Sequence, residues 1–126
     1  MLRSIAAVVA GLIVSLALVM ALSYLAGVVT GVEPTGPPTG AYFGLNLLGV
    51  AIAGVAGGAT AVRLAPHTPH GHVWALAFVL LLVSLPAMFS APSPVQPTWY
   101  HVAVSVLGPV SVLVGGLIIA RQRGEV

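Results

Sequence analysis

The fold is decided by the stretch Gly54-Val55-Ala56-Gly57-Gly58-Ala59-Thr60-Ala61-Val62-Arg63, where closely spaced small residues run up to a charged one. Gly54 and Gly58 are four residues apart, so on a helix they share one face and let a second backbone approach closely. Arg63 marks the point where an apolar segment meets water. The stretch predicts the tightly packed half of a membrane-spanning helix that ends at the bilayer surface.

The composition of the 126-residue chain is that of a membrane protein. Hydrophobic residues make up 59% and charged residues only 5%. Because about a quarter of the residues in a soluble domain are charged, water is not the solvent of this fold. The net charge of +2 rests on four arginines at segment ends, with no lysine, which predicts no nucleic-acid partner. The absence of cysteine excludes disulfides and cysteine-based metal sites.

Long apolar runs predict an all-α membrane protein with a single domain over residues 1–126. A run of about twenty residues rises roughly 30 Å along a helix, which matches the hydrocarbon core of a bilayer. Proline and glycine interrupt the runs, because proline removes a backbone donor and restricts φ. The predicted helices are 4–30, 41–64, 73–90 and 99–120, the loops are 31–40, 65–72 and 91–98, and the tail is 121–126.

The arginines predict the orientation. With four spans, all of them fall on one side of the membrane, and Glu33 alone falls on the other. An excess of arginine in short loops is typical of the cytoplasmic side, so both termini are expected there. These arginines are Arg3, Arg63, Arg121 and Arg123.

Small residues recur at helical spacing along three of the spans. Such stripes let helix backbones approach closely, so we expect them to be packing surfaces. The bilayer is one partner, and a homo-oligomer or a larger membrane complex is the other expected partner. The glycines predicted to pack are Gly11, Gly54, Gly58, Gly108 and Gly115.

An internal repeat is suggested when the chain is compared with itself at an offset of 58 residues. Gly57-Gly58 then align with Gly115-Gly116, and Arg63 aligns with Arg121. Duplication and chance both account for so few identities in apolar sequence. A true duplication would give two hairpins in a parallel arrangement, related by an axis along the membrane normal.

Several short motifs resemble a family of small, uncharacterised four-span bacterial membrane proteins. The resemblance implies the fold and a location in the bacterial inner (plasma) membrane, and it implies no activity. The motifs are Met1-Leu2-Arg3-Ser4-Ile5, Gly57-Gly58 followed by Arg63-Leu64-Ala65-Pro66, the histidines before the third span, Trp99-Tyr100, and Gly115-Gly116 before Arg121.

Three histidines, His67, His70 and His72, lie within six residues between the second and third spans. Three imidazoles can in principle hold Zn, Cu or Ni. However, prolines and a glycine make this loop irregular, and no carboxylate is near in sequence to orient the rings. We therefore predict an interfacial element with no metal and no cofactor.

Asn46 and His101 are the strongly polar residues expected inside the outer ends of the spans. With Glu33 they define a possible polar pocket. No nucleophile is spaced with a base and no acid pair occurs, so an enzyme is not expected. Neither glutamate lies within a span, which disfavours a proton-coupled transporter. The favoured function is a non-enzymatic packing or assembly component. The alternative is a transporter or channel for a small, weakly polar solute that uses the Asn46 and His101 pocket.

Overall fold

The computed structural model describes residues 1–32, 38–89 and 97–124, without the side chain of Ala87. Within these ranges all regular structure is helical, and each helix is long and apolar enough to cross a membrane. This confirms the predicted class of a multi-pass helical membrane protein. The helices are α1 (Leu2–Thr30), α2 (Gly40–Leu64), α3 (Pro69–Met88) and α4 (Thr98–Gln122).

Local sequence explains where the first two helices end and begin. Gly31 follows α1 in a left-handed conformation with φ of 69°, which a residue with a side chain rarely adopts. Thr39 precedes α2, and its hydroxyl accepts a hydrogen bond from the backbone N–H of Tyr42 at 3.3 Å. That bond satisfies one of the free donors of the first helical turn.

The predicted start of the third helix at residue 73 is wrong. The helix begins at Pro69, because the first helical position needs no N–H and suits the fixed φ of proline. The preceding connection therefore shortens from 65–72 to 65–68. As a result His70 and His72 lie in the first turn of α3, and only His67 remains in the connection.

The four helices alternate in direction, so Arg3, Arg63 and Arg121 lie at the same end, here called the arginine end. The guanidinium of Arg123 donates a hydrogen bond to the carbonyl of Val62, which ties the ends of α4 and α2 together there. The core fills this half of the bundle. Its buried residues are Ala61, Val62, Val73, Leu76, Ala77, Val112 and Ala120.

The helices do not share contacts equally. α2 packs extensively on both α1 and α4, and α4 also packs on α3. α3 touches α1 and α2 far less. The bundle is therefore built around α2, and α3 packs only lightly on α1 and α2. The bounds of α2 and α4 lie 58 residues apart at both ends, the same offset as the sequence repeat.

Candidate functional site

The contact between α1 and α2 has no room for a side chain at its glycines. A Cβ atom placed on Gly11 would lie 2.8 Å from the carbonyl oxygen of Gly57, and one on Gly57 would lie 2.7 Å from the carbonyl oxygen of Gly11. Real Cβ atoms are not found this close to a backbone oxygen. Beside them the Ser15 hydroxyl donates to the carbonyl of Ala53 at 3.3 Å. The two backbones are thus in direct contact.

The contact between α2 and α4 is equally close. A Cβ on Gly54 would lie 2.5 Å from Cβ of Ser111, and one on Gly58 would lie 2.9 Å from the nitrogen of Gly116. From the opposite helix, a Cβ on Gly115 would lie 2.6 Å from Cα of Val55. The glycines therefore lie in contacts between helices of one chain, where they hold the bundle together.

Two packing glycines were not singled out as such by the sequence analysis. Gly57 faces α1, while its neighbour Gly58 faces α4. Similarly, Gly115 faces α2, and a Cβ on Gly116 would lie 2.7 Å from Cγ1 of Val73 in α3. A Gly-Gly pair serves two interfaces at once because successive helical residues point about 100° apart. The occurrence of two adjacent glycines in the sequence is the signal that could have identified both packing positions.

Gly108 differs from the other four predicted packing glycines. A Cβ on Gly108 would meet no described atom within 4 Å, because this position borders a cavity. Its carbonyl oxygen lies 3.0 Å from a Cβ placed on Gly54. Gly108 thus contributes backbone to the contact with α2, but its missing side chain leaves a void.

A polar tie connects three helices near the end opposite the arginines. Asn46 on α2 is buried, and its amide oxygen accepts a hydrogen bond from the hydroxyl of Ser23 on α1. Its amide nitrogen donates to the hydroxyl of Tyr100 on α4. The Tyr100 ring packs on Phe43 with 4.6 Å between ring centroids. Both the oxygen and the nitrogen of the Asn46 side-chain amide are therefore hydrogen-bonded within the chain.

The predicted grouping of Asn46, His101 and Glu33 is described only for its first two residues, which are not hydrogen-bonded to each other. His101 is half-buried, and its ring lies 6.4 Å from that of Tyr100, without a hydrogen bond to Asn46. Glu33 lies outside the residues that the structure describes. The hydrogen-bond partners of Asn46 are Ser23 and Tyr100. The signal that could have identified Ser23 is its depth along the bundle. Ser23 lies seven residues before the end of α1 and Asn46 lies six residues after the start of α2, so the two residues are at a similar level.

The three histidines occupy different environments. His67 is exposed, His70 is half-buried, and His72 is buried with 8% of its surface accessible. The Nδ1 atom of His72 lies 3.0 Å from the carbonyl oxygen of Thr68. Because a carbonyl only accepts, Nδ1 donates the hydrogen of this bond. Among the described residues Nε2 has no hydrogen-bond partner.

Metal-ligand geometry is not found around these rings. Within residues 1–32, 38–89 and 97–124, no three histidine or carboxylate side chains come together to hold an ion. The physical reason is that α3 begins at Pro69, so His70 and His72 lie on a helix. Residues two apart in sequence point in different directions around a helix.

Two cavities lie between α1 and α3, together called the α1–α3 cleft. The arginine-end cavity has a volume of about 390 Å³, and it is lined by residues of both helices and by Thr68 of the preceding connection: Ser4, Ile5, Val8, Val9, Thr68, Gly71, His72 and Ala75. The mid-bundle cavity has a volume of about 140 Å³ and reaches all four helices, including Ser15, Val83, Ser84 and Gly108. Between them Leu76 covers Gly11, with its Cδ2 2.8 Å from where a Cβ of Gly11 would lie.

The polar groups of the mid-bundle cavity are already bonded within the chain. The Ser84 hydroxyl donates to the carbonyl of Leu81 at 2.9 Å, and that of Ser15 donates to Ala53. The wall that remains is almost entirely apolar. A cavity of this size and lining suits a hydrocarbon group rather than water.

The chain matches no known protein family, and comparison with curated proteins and with solved structures gives no match. The resemblance described from the sequence therefore stays a prediction.

Proposed function

We propose that this protein is a non-enzymatic assembly component of a membrane, which joins further copies of itself or a larger membrane complex. The observation that carries the proposal is the unequal closure of the bundle. The glycine contacts of α2 with α1 and α4 leave no room for a side chain, whereas a mid-bundle cavity of about 140 Å³, apolar and bordered by Gly108, remains open between the helices. A side chain or acyl group from outside would complete the packing there.

Because the glycines pack within the chain, a different surface has to form the contact with other chains. A glycine seam was the expected contact with other chains, but Gly11, Gly54, Gly58 and Gly115 lie against helices of the same chain. The assembly surface is accordingly placed on the exposed flanks of α1 and α3. Leu16 and Val83, which border the mid-bundle cavity, are both partly open to the outside.

Transport of a small, weakly polar solute is the weaker proposal. It required Asn46 and His101 to face an open pocket. Asn46 instead bonds to Ser23 and Tyr100, which is the usual role of a lone asparagine in a membrane helix. The hydroxyls beside the mid-bundle cavity are also bonded within the chain.

Location and topology belong to the same proposal. Arginines at one end of the bundle support an orientation with both termini in the cytoplasm, and a bacterial inner membrane is the proposed location. The shared offset of 58 residues between α2 and α4 supports a duplicated hairpin. A reporter fused after Val126 is expected to be active in the cytoplasm, and one inserted between residues 33 and 39 outside it. A cytoplasmic signal from the insertion would contradict the topology.

The assembly proposal is tested by the number of chains per particle in native lipid discs and by single-molecule photobleaching in dilute bilayers. Wild-type protein is expected to form oligomers or a larger complex. Val83→Trp should fill the opening of the mid-bundle cavity and reduce association. Leu82→Trp is the matched control, since Leu82 is similarly exposed but does not border the cavity. A wild-type protein of single-chain mass at every dilution would refute the proposal.

A further inference from the structure

The outer flank of α2 carries an apolar stripe that ends in an arginine. Val55, Ala59 and Arg63 follow one another at intervals of four residues, so they lie on one face of the helix. This face borders α4, because a Cβ on Gly115 would lie 2.6 Å from Cα of Val55. It is also open to the outside, since Val55 is 38% exposed and Arg63 is exposed.

α4 carries a similar stripe beside the same contact. Gly115 faces α2 and Gly116 faces α3, and Ile118 lies about 60° from Gly115 on the side away from Gly116. Val114 and Arg121 share this exposed flank with Ile118, at helical spacings of four and three residues. The two stripes are together called the α2–α4 face, and its residues are Val55, Ala59, Arg63, Val114, Ile118 and Arg121.

The arginines of the two stripes come to the same end of the α2–α4 face. α2 and α4 run in the same direction, and the bond from Arg123 to the carbonyl of Val62 holds the end of α4 against the residue before Arg63. No aspartate or glutamate lies within the described ranges, and Glu125 is the one acidic residue in the parts of the sequence that reach this end. Because the like charges of Arg63 and Arg121 repel each other, an anion placed between them is favoured.

The chemistry of the two ends of the α2–α4 face selects the kind of anion. Guanidinium groups bind phosphate oxygens in pairs of hydrogen bonds, so the arginines suit a phosphate. From Arg63 to Val55 the helix rises about 12 Å, close to the half-thickness of about 15 Å that one acyl chain spans in a bilayer. A soluble phosphate would use only the arginines, whereas a phospholipid also covers the exposed apolar part.

We infer that the α2–α4 face binds one anionic phospholipid. Its phosphate lies between Arg63 and Arg121, and one acyl chain runs along Val55, Ala59 and Ile118. Basic groups between membrane helices at the cytoplasmic side are a known way of holding anionic headgroups, and here the apolar stripes give the lipid a fixed position as well. This inference goes beyond the assembly role and does not depend on it.

The charge requirement is tested by native mass spectrometry of the full chain with equal amounts of phosphatidylglycerol and phosphatidylcholine of the same acyl chains. Wild-type protein is expected to retain one phosphatidylglycerol in preference. Arg63→Gln and Arg121→Gln should each lower that retention about fivefold, the effect of one arginine near an anionic lipid. Arg3→Gln is the matched control, since it removes the same charge from the same end of the bundle but from α1. Equal losses in all three variants, or no preference in wild-type protein, would overturn the inference.

The requirement for an acyl chain is tested on the apolar part of the face. Ala59→Trp places an indole in the path of the chain and is expected to lower phosphatidylglycerol retention about tenfold. Ala6→Trp is the matched control, since Ala6 is exposed on α1, three residues from Arg3, and lies outside the face. Equal retention by both variants would overturn the assignment.

Two further results would also overturn the inference. Glycerol phosphate has a phosphate and no acyl chain, so it should not displace the lipid, and displacement would assign the arginines to a soluble anion. An Ala59→Trp variant that loses self-association but keeps the lipid would assign the α2–α4 face to a second copy of the chain.

Discussion

The two sides of this bundle differ in what their small residues do. Around α2, glycines such as Gly57 and Gly58 bring backbones into contact and leave no void. On the other side, Gly108 faces a cavity, and α1 and α3 stand apart along the α1–α3 cleft. Both sides carry small residues at helical spacing. The lesson is that such spacing predicts which face is small, whereas the neighbouring helix decides whether that face is filled.

The largest expected effect comes from filling the closed side. Gly58→Leu places four heavy atoms against the backbones of Val112 and Gly116, where even one methyl has no room. We expect a loss of about 3 kcal/mol in the free energy of unfolding, because neither backbone can retreat. Leu81→Val on the exposed flank of α3 is the control. Unfolding by denaturing detergent in mixed micelles measures the stability of both variants. Similar midpoints would show that α2 and α4 are not in close contact at Gly58.

A smaller loss is expected from the polar tie. Asn46→Leu leaves the hydroxyls of Ser23 and Tyr100 without their partner, at a cost of about 1 kcal/mol. The double variant with Tyr100→Phe should cost less than the sum of the two single changes, because both remove the same bond. Strict additivity in the same unfolding assay would show that Asn46 and Tyr100 do not interact.

The sharpest contrast uses one substitution at two glycines that both border the mid-bundle cavity. Gly108→Ala adds a methyl that faces the mid-bundle cavity, and we expect it to stabilise the protein by about 0.5 kcal/mol. Gly54→Ala adds the same methyl 2.5 Å from Cβ of Ser111 and should destabilise it. Shifts of the same sign would show that the two positions are packed alike.

Removal of metal ions is expected to have no effect on stability. His67, His70 and His72 do not share a common ligand geometry, so a chelator should leave the unfolding midpoint unchanged. Metal analysis of protein purified without a histidine tag gives an independent answer. Stoichiometric Zn, Cu or Ni that disappears in the His70→Ala, His72→Ala double variant would contradict the structure of this turn.

The number of spans could be predicted from the sequence because it depends on local hydrophobicity and length. The start of α3 could not be placed correctly, since Pro69 can end one helix or begin the next, and only the packing of its first turn decides. The partners of Asn46 were missed for a related reason. Tyr100 was noted only as part of the Trp99-Tyr100 motif, although its hydroxyl reaches inward to α2.

Voids are harder still to predict. Gly108 and Gly115 belong to the same stripe on α4, yet one borders a cavity and the other touches Val55. The cavity beside Gly108 is lined by residues of all four helices, so its presence is a property of the whole bundle. His72 shows the same limit, because its buried Nε2 depends on the helical turn that joins it to Thr68.

The dependence of α3 on α4 has a consequence for biosynthesis. A ribosome delivers the helices in chain order, and α2 can pack on α1 as soon as it enters the bilayer. α3 comes next but finds its main contact surface only on α4, which follows it. During that interval α3 is held by little besides the surrounding lipid. Nascent chains arrested before residue 98 should therefore expose α3 to insertion factors and membrane proteases, while the first hairpin is already protected.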